Sequence, residues 1–135
     1  YIVFKGNKKM SFLTDTGRVS EGMKTKIRYS HLLFMESNHD VTMLKEGSYP
    51  WQLKQRILSP FGHLSNDDAA SALGDVIKGD NELVLLAHLS QDNNLPDLAY
   101  NTVRNGLMGQ GFDVDNDIRL CLTKRDGRSD FYTIE

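Results

Sequence analysis

Two uninterrupted apolar runs constrain this chain more than any other feature. Residues 31–35 read His-Leu-Leu-Phe-Met, and residues 82–87 read Glu-Leu-Val-Leu-Leu-Ala. A strand with one wet face alternates apolar and polar residues. A run without alternation fits a strand covered on both faces, as in a parallel sheet. Parallel neighbours need crossovers, and helical patterns stand where crossovers are required. Pro50 opens a helix through Leu58, since proline suits a first helical turn. Ser65 or Asn66 caps a helix to about Lys78, with Asp67 and Asp68 in its first turn. Leu95, Leu98, Ala99, Thr102 and Val103 share one face of a helix over 95–110. Residues 20–28, with Met23 and Ile27 on one side, suit a short surface helix. The predicted class is α/β with a mixed sheet.

Two hairpins complete the expected elements. Residues 2–5 and 10–14 flank Gly6-Asn7-Lys8-Lys9, and residues 117–123 and 130–134 flank Asp126-Gly127. A length of 135 residues suits one domain. No apolar run approaches a membrane span of ~20 residues, so no membrane association through such a span is expected. The lone Cys121 forms no internal disulfide and builds no zinc ribbon, which fits a reducing, cytoplasmic setting. Sixteen basic against 18 acidic residues exclude a simple polybasic nucleic-acid binder, though not a local basic groove. The chain opens on Tyr1 within a strand pattern, so these residues are expected to be the later part of a longer protein.

The chemistry-bearing residues collect at strand ends. Thr14-Asp15-Thr16-Gly17 follows the second strand, Glu36-Ser37-Asn38-His39-Asp40 follows the third, and His88-Leu89-Ser90 with Asn93-Asn94 follows residues 82–87. Ligands of open α/β sheets bind outside the carboxyl ends of strands, so these groups are expected to share a cleft. A carboxylate and imidazole set suits a divalent transition metal. Such a site activates water and polarises the bond under attack. Taken singly, each residue has a plain structural explanation. Asp15 before Thr-Gly is a turn former, His63 precedes a helix cap, and His31 opens a strand. The coincidence of edges carries the functional reading.

Other signals lead nowhere. Asp113, Asp115 and Asp117 alternate like the start of an EF-hand loop, but Ile118 stands where that loop needs Gly and Lys124 where it needs Glu. Gly106, Gly109 and Gly111 follow a helix rather than a strand and make no dinucleotide fingerprint. Cys121 reads as a small core residue. Tyr49 and Trp51 read as core packing.

In order along the chain, Thr14-Asp15-Thr16-Gly17, Glu36-Ser37-Asn38-His39-Asp40, Tyr49-Pro50, Gly62-His63-Leu64-Ser65-Asn66 and Leu86-Ala87-His88-Leu89-Ser90 resemble the C-terminal half of metallo-β-lactamase-fold hydrolases. The similarity is to the WalJ/YycJ type, with tRNase Z a more distant relative. It implies half of an αββα sandwich: residues 1–135 as one mixed sheet, helices 50–58, 66–78 and 95–110 on its outer face, and an apolar inner face meant for an absent N-terminal half. Exposed, that face is expected to favour aggregation or pairing of copies into a homo-oligomer.

The resemblance also implies roles. Asp15 corresponds to a carboxylate bridging two metal ions and His88 to a late histidine ligand. Glu36 and His63 correspond to a carboxylate–imidazole pair beside the metals, with His63 donating to the leaving oxygen. Ser65, Ser90, Asn93 and Asn94 correspond to cleft-lining, substrate-binding positions. Asn38, His39 and Asp40 form a polar cluster without an assigned role. The cofactors implied are two divalent ions (Zn, Mn or Fe), held mostly by the N-terminal half. The family's His-x-His-x-Asp-His block is absent among the four histidines here.

The implied function is metal-dependent phosphodiester hydrolysis, as a DNA 5′-to-3′ exonuclease, with this chain alone inactive. The alternatives are a small-molecule metallo-hydrolase on the same fold, since fold does not dictate chemistry, or a non-catalytic interaction module.

Overall fold

The computed structural model describes residues 1–135. Ten elements follow one another: β1 (Ile2–Lys5), β2 (Lys8–Leu13), α1 (Glu21–Ile27), β3 (Leu32–Glu36), α2 (Val41–Glu46), α3 (Trp51–Leu58), α4 (Asn66–Val76), β4 (Glu82–Ala87), α5 (Pro96–Gly109) and β5 (Ile118–Leu122). The strands form one sheet in the order β1-β2-β3-β4-β5. β1 and β2 pair antiparallel through the turn at Gly6, whose φ of 58° suits glycine. The steps β2–β3, β3–β4 and β4–β5 are all parallel. The mixed sheet expected from the two apolar runs is present.

This order explains why one face is covered and the other is not. Each new parallel strand is added on the same side of the last. Crossovers of a single hand then place one helix of each connection, α1, α4 and α5, on the same face. On that face Leu33, Met35, Val84, Leu86 and Leu120 pack with Ile27 of α1, Leu73 and Val76 of α4, and Val103 and Leu107 of α5 in one buried cluster. Fully burying a Leu or Val contributes about 1.5–3 kcal/mol, so this layer dominates the cohesion of the chain. On the opposite face stand Val3, Met10, Phe12, Leu32 and Phe34, partly or largely exposed, with the Phe12 and Phe34 rings 5.7 Å apart. That face is apolar and carries no helix.

Three expectations are corrected. The helix expected over 50–58 is present as α3 but does not join the outer layer: its buried Ile57 lies outside the core cluster and lines a cavity at the carboxyl end of the strands. Residues 130–134 form no strand. Past Leu122 the chain is held by isolated contacts, such as the Arg119 guanidinium donating to the Thr133 carbonyl at 2.9 Å. Trp51, read as core packing, is 62% exposed. One helix was not foreseen. α2 is only six residues long and owes its start to Asp40, whose carboxylate accepts from the Met43 N–H at 2.8 Å. The choice of cap for α4 falls to Ser65, which accepts from the Asp68 N–H at 3.0 Å.

Candidate metal centre

Because β2, β3 and β4 are parallel, their carboxyl ends lie along one edge of the sheet. Asp15 stands just past β2, Glu36 ends β3, and His88 follows β4. His63 reaches the same edge from the loop between α3 and α4. These four side chains each offer one ligand atom, all within 4.8 Å of one another. Asp15 (φ 58°) and His88 (φ 57°) both hold left-handed backbone conformations. Non-glycine residues in that region are uncommon and cluster at functional sites.

Depth separates the roles open to the four side chains. Glu36 is 0% exposed, His63 29%, His88 47% and Asp15 72%. At the bottom, Glu36 Oε1 accepts from His63 Nδ1 and from His88 Nδ1, each at 2.6 Å. Its Oε2 accepts from the N–H of Thr16 at 3.2 Å and of Leu64 at 3.4 Å. A carboxylate only accepts, so both imidazoles carry their proton on Nδ1 and turn Nε2 away from it. Asp15 Oδ1 lies above, 3.5 Å from His88 Nδ1 and 3.9 Å from His63 Nδ1. The family resemblance implies Glu36 paired with His63 alone; the structure hangs both histidines from it.

The loop carrying His63 is clamped. The Gly17 N–H donates to the Pro60 carbonyl at 3.2 Å, and a Cβ on Gly17 would collide with the Ser59 carbonyl. A Cβ on Gly62 would likewise meet the carbonyls of Arg56 and Ile57. The turn at Thr16-Gly17 and the His63 loop are thereby locked together, with Asp15 and His63 on adjoining segments.

The cluster opens onto a cavity of about 740 Å³, lined among others by Asp15, Asn38, Tyr49, His63, His88, Ser90, Thr123, Lys124 and Arg125. Ser90 and Asn38 therefore reach the cleft. Ser65, Asn93 and Asn94, expected there, are turned inward instead. Ser65 is spent on its helix cap. Asn94 and Asn66 exchange two amide hydrogen bonds at 2.9 Å, while the Ser37 hydroxyl donates to Asn66 at 2.6 Å. Asn93 is 2% exposed, and its carbonyl accepts from the Asp40 N–H. Buried amides demand partners, and these partners are inside the protein. Thr123, Lys124, Arg125 and Tyr49 line the cavity without having been singled out as site residues. Tyr49 donates to Asp92 at 2.9 Å, and that bond holds its hydroxyl pKa above the usual range.

His39 lies behind the cluster, 1% exposed. Asn38 donates through Nδ2 to the His88 carbonyl, so its Oδ1 faces His39 Nδ1 at 3.3 Å. His39 Nε2 is then a buried acceptor without a partner. Burial keeps the His39 pKa below its ordinary 6.5, and the Asp68 carboxylate offsets part of that. Once unfolded, the ring takes a proton near pH 6.5, while the folded ring stays neutral. Its contribution to stability is therefore present above that pH and falls as pH drops below it. Between pH 7.5 and 5.5 the wild type should lose more melting temperature than His39→Gln. Parallel pH profiles would refute the buried neutral state.

No family model matches the chain. Among solved structures it is similar to the metallo-β-lactamase fold protein YhfI from Bacillus subtilis, with a TM-score of 0.59 and 12% identity, over 91% of this chain and 39% of that one. It is also similar to Zn(2+)-bound PqqB from Methylobacterium extorquens, with a TM-score of 0.53 and 17% identity, over 82% and 38%. The fold is that of part of a metallo-β-lactamase-fold protein. Among curated proteins the chain is 47% identical to exodeoxyribonuclease YycJ of Bacillus anthracis over 114 residues, which are 84% of this chain and 43% of the relative. It is 40% identical to exodeoxyribonuclease WalJ of Streptococcus pneumoniae over 126 residues, or 93% and 47%. The chain thus spans about half the length of the curated relatives it matches. No helix is long and apolar enough to cross a membrane.

Proposed function

We propose that residues 1–135 are the C-terminal half of a metal-dependent phosphodiesterase, and that the complete protein is a DNA 5′-to-3′ exonuclease. The observation that carries this reading is the convergence of Asp15, Glu36, His63 and His88 at one sheet edge, ligand atoms within 4.8 Å. The names of the YycJ and WalJ relatives support the substrate class. The helix-free face, where Phe12 and Phe34 stay partly exposed, supports a second half packing there. With that half absent the ligand set is incomplete, so the isolated chain is inactive in this reading. Cys121, the lone cysteine, fits a reducing cytoplasm.

The residues present fit a divalent metal centre. Their donors are carboxylate oxygen and imidazole nitrogen, which suit Zn, Mn or Fe. Asp15 and His88 stand highest in the cluster and open to the cavity, leaving room for ligands from elsewhere. Asp15 and His88 would be the residues of this chain that hold the metal. Ions held there supply Lewis acidity toward a phosphodiester.

The chain's own residues do the rest. Glu36 fixes the tautomer and direction of both imidazoles from below. His63 keeps Nε2 toward the cavity and, when protonated, donates from it to the departing oxygen. Lys124 and Arg125 on the rim balance phosphate charge. In the complete protein, His63→Ala should lower turnover about 10²–10⁴-fold, the span of general acid–base catalysis, while elemental analysis finds the metal content unchanged. Loss of metal from that variant would make His63 a ligand and overturn this assignment.

A further inference from the structure

A second depression, of about 280 Å³, adjoins the large cavity and shares Asp15, Leu53, Ile57 and His63 with it. Beyond that shared wall the two diverge. The large one runs to Thr123, Lys124 and Arg125, and the small one to Arg56, Phe61 and Gly62. The cluster therefore sits partway along a trough that is basic at one end and aromatic at the other.

Phe61 is 92% exposed. This is not the slack tip of a loose loop. Its own N–H donates to Ser59 Oγ at 3.3 Å, and the Ser59 hydroxyl donates to the Arg56 carbonyl at 2.7 Å. The Gly62 N–H donates to the Ser59 carbonyl at 3.0 Å, and the Gly17 N–H holds the Pro60 carbonyl. Four hydrogen bonds thus hold rigid a turn whose most hydrophobic side chain stands in water. A pre-ordered ring with both faces free is the arrangement that stacks on a nucleobase without an ordering cost. At the other end, Arg125 makes no hydrogen bond or ion pair within the chain, and Lys124 Nζ meets only Asp130, at 3.6 Å. Asp92 lines the same cavity, but its carboxylate accepts from the Tyr49 hydroxyl at 2.9 Å. Exposed cations beside a cavity are what draws a phosphate backbone.

We infer that the trough holds a single-stranded polynucleotide across the cluster, with one base stacked on Phe61 and the backbone phosphates beyond the scissile bond held by Lys124 and Arg125. The inference rests on the nucleolytic reading and adds to it the strand's path and form. A duplex keeps its bases stacked on one another, so only a single strand or a frayed end presents a free base face to Phe61.

The test uses the complete protein and fluorescence anisotropy with a labelled single-stranded oligonucleotide, intact or with one abasic position moved stepwise along it. Phe61→Ala should weaken binding of the intact strand about tenfold. On the strand whose missing base faces Phe61 the same substitution should cost less than twofold. Replacing Lys124 and Arg125 together by Ala should reduce the slope of log affinity against log salt by about 1.4, about 0.7 per phosphate contact on a single strand. An equal loss on intact and every abasic strand would show that Phe61 packs within the protein, and would overturn the stacking station. An unchanged salt slope would overturn the phosphate station. Hydrolysis of bis(p-nitrophenyl) phosphate by the metal-loaded wild type is scored separately. Its absence would sink the nucleolytic reading, whereas the binding measurements judge the two stations whatever the hydrolysis result.

Discussion

Glu36→Gln in the complete protein is expected to lower turnover by about 10²–10⁴-fold, the loss attached to a disabled acid–base group, and to destabilise the fold as well. The reason is the number of donors that one buried carboxylate serves. Glu36 is 0% exposed and receives two imidazole N–H groups and two backbone N–H groups. A glutamine keeps one carbonyl oxygen and brings an NH₂ that can only donate. Whichever way it turns, donors face donors. If the NH₂ points at the histidines, both rings lose their anchor and are free to take the other tautomer. If it points at Thr16 and Leu64, two backbone donors go unpaired. A buried donor left without a partner costs about 1–3 kcal/mol. The decisive measurements are kcat and the denaturation midpoint. A variant within twofold of wild-type turnover would show that the histidines are oriented by something other than Glu36.

Asp15→Asn should behave in the opposite way, sparing the fold and emptying the site. Asp15 is 72% exposed and sits at φ 58°, a conformation asparagine tolerates about as well as aspartate. The substitution therefore removes a negative charge with little change of shape or backbone. Loss of groups that merely orient ligands costs 10–100-fold in metal affinity, so loss of a residue proposed to hold the metal directly should cost at least about that much. Elemental analysis of the purified variant is expected to find metal depleted, with activity lost in step and the melting temperature of the metal-free protein unchanged. Full metal content with wild-type turnover would remove Asp15 from the ligand set. Together with His63→Ala, this distinguishes holding the metal from moving a proton: one substitution loses both metal and rate, the other rate alone.

Much of the fold was legible because its signals are local. The run at 82–87 became a fully buried central strand, flanked on both sides by parallel partners. Asp67 and Asp68 in a first turn, and the apolar face of Leu95, Ala99 and Val103, marked helices that the structure keeps. Where locality failed, a competing contact can be named. The Asp126-Gly127 turn signal is real, but the tail beyond it finds only isolated contacts such as that of Arg119 with Thr133, so no second strand forms. α2 was missed because six residues are too few to show a period, and the Asp40 cap that starts it looked like part of a polar cluster.

The amino-acid sequence by itself determined that polar, ionisable residues follow each buried strand, and parallel pairing alone then brings Asp15, Glu36 and His88 to one edge. It also determined, through one-sided crossovers, that the sheet has an apolar face without helices. Only the tertiary structure decided which of those polar residues face the cleft. Glu36 serves histidines 27 and 52 residues away in sequence, and Asn66 and Asn94 satisfy each other across 28. A side chain beyond a strand end has no periodicity to direct it. It turns toward whichever buried donor or acceptor most needs a partner, and that partner is set by packing between distant segments.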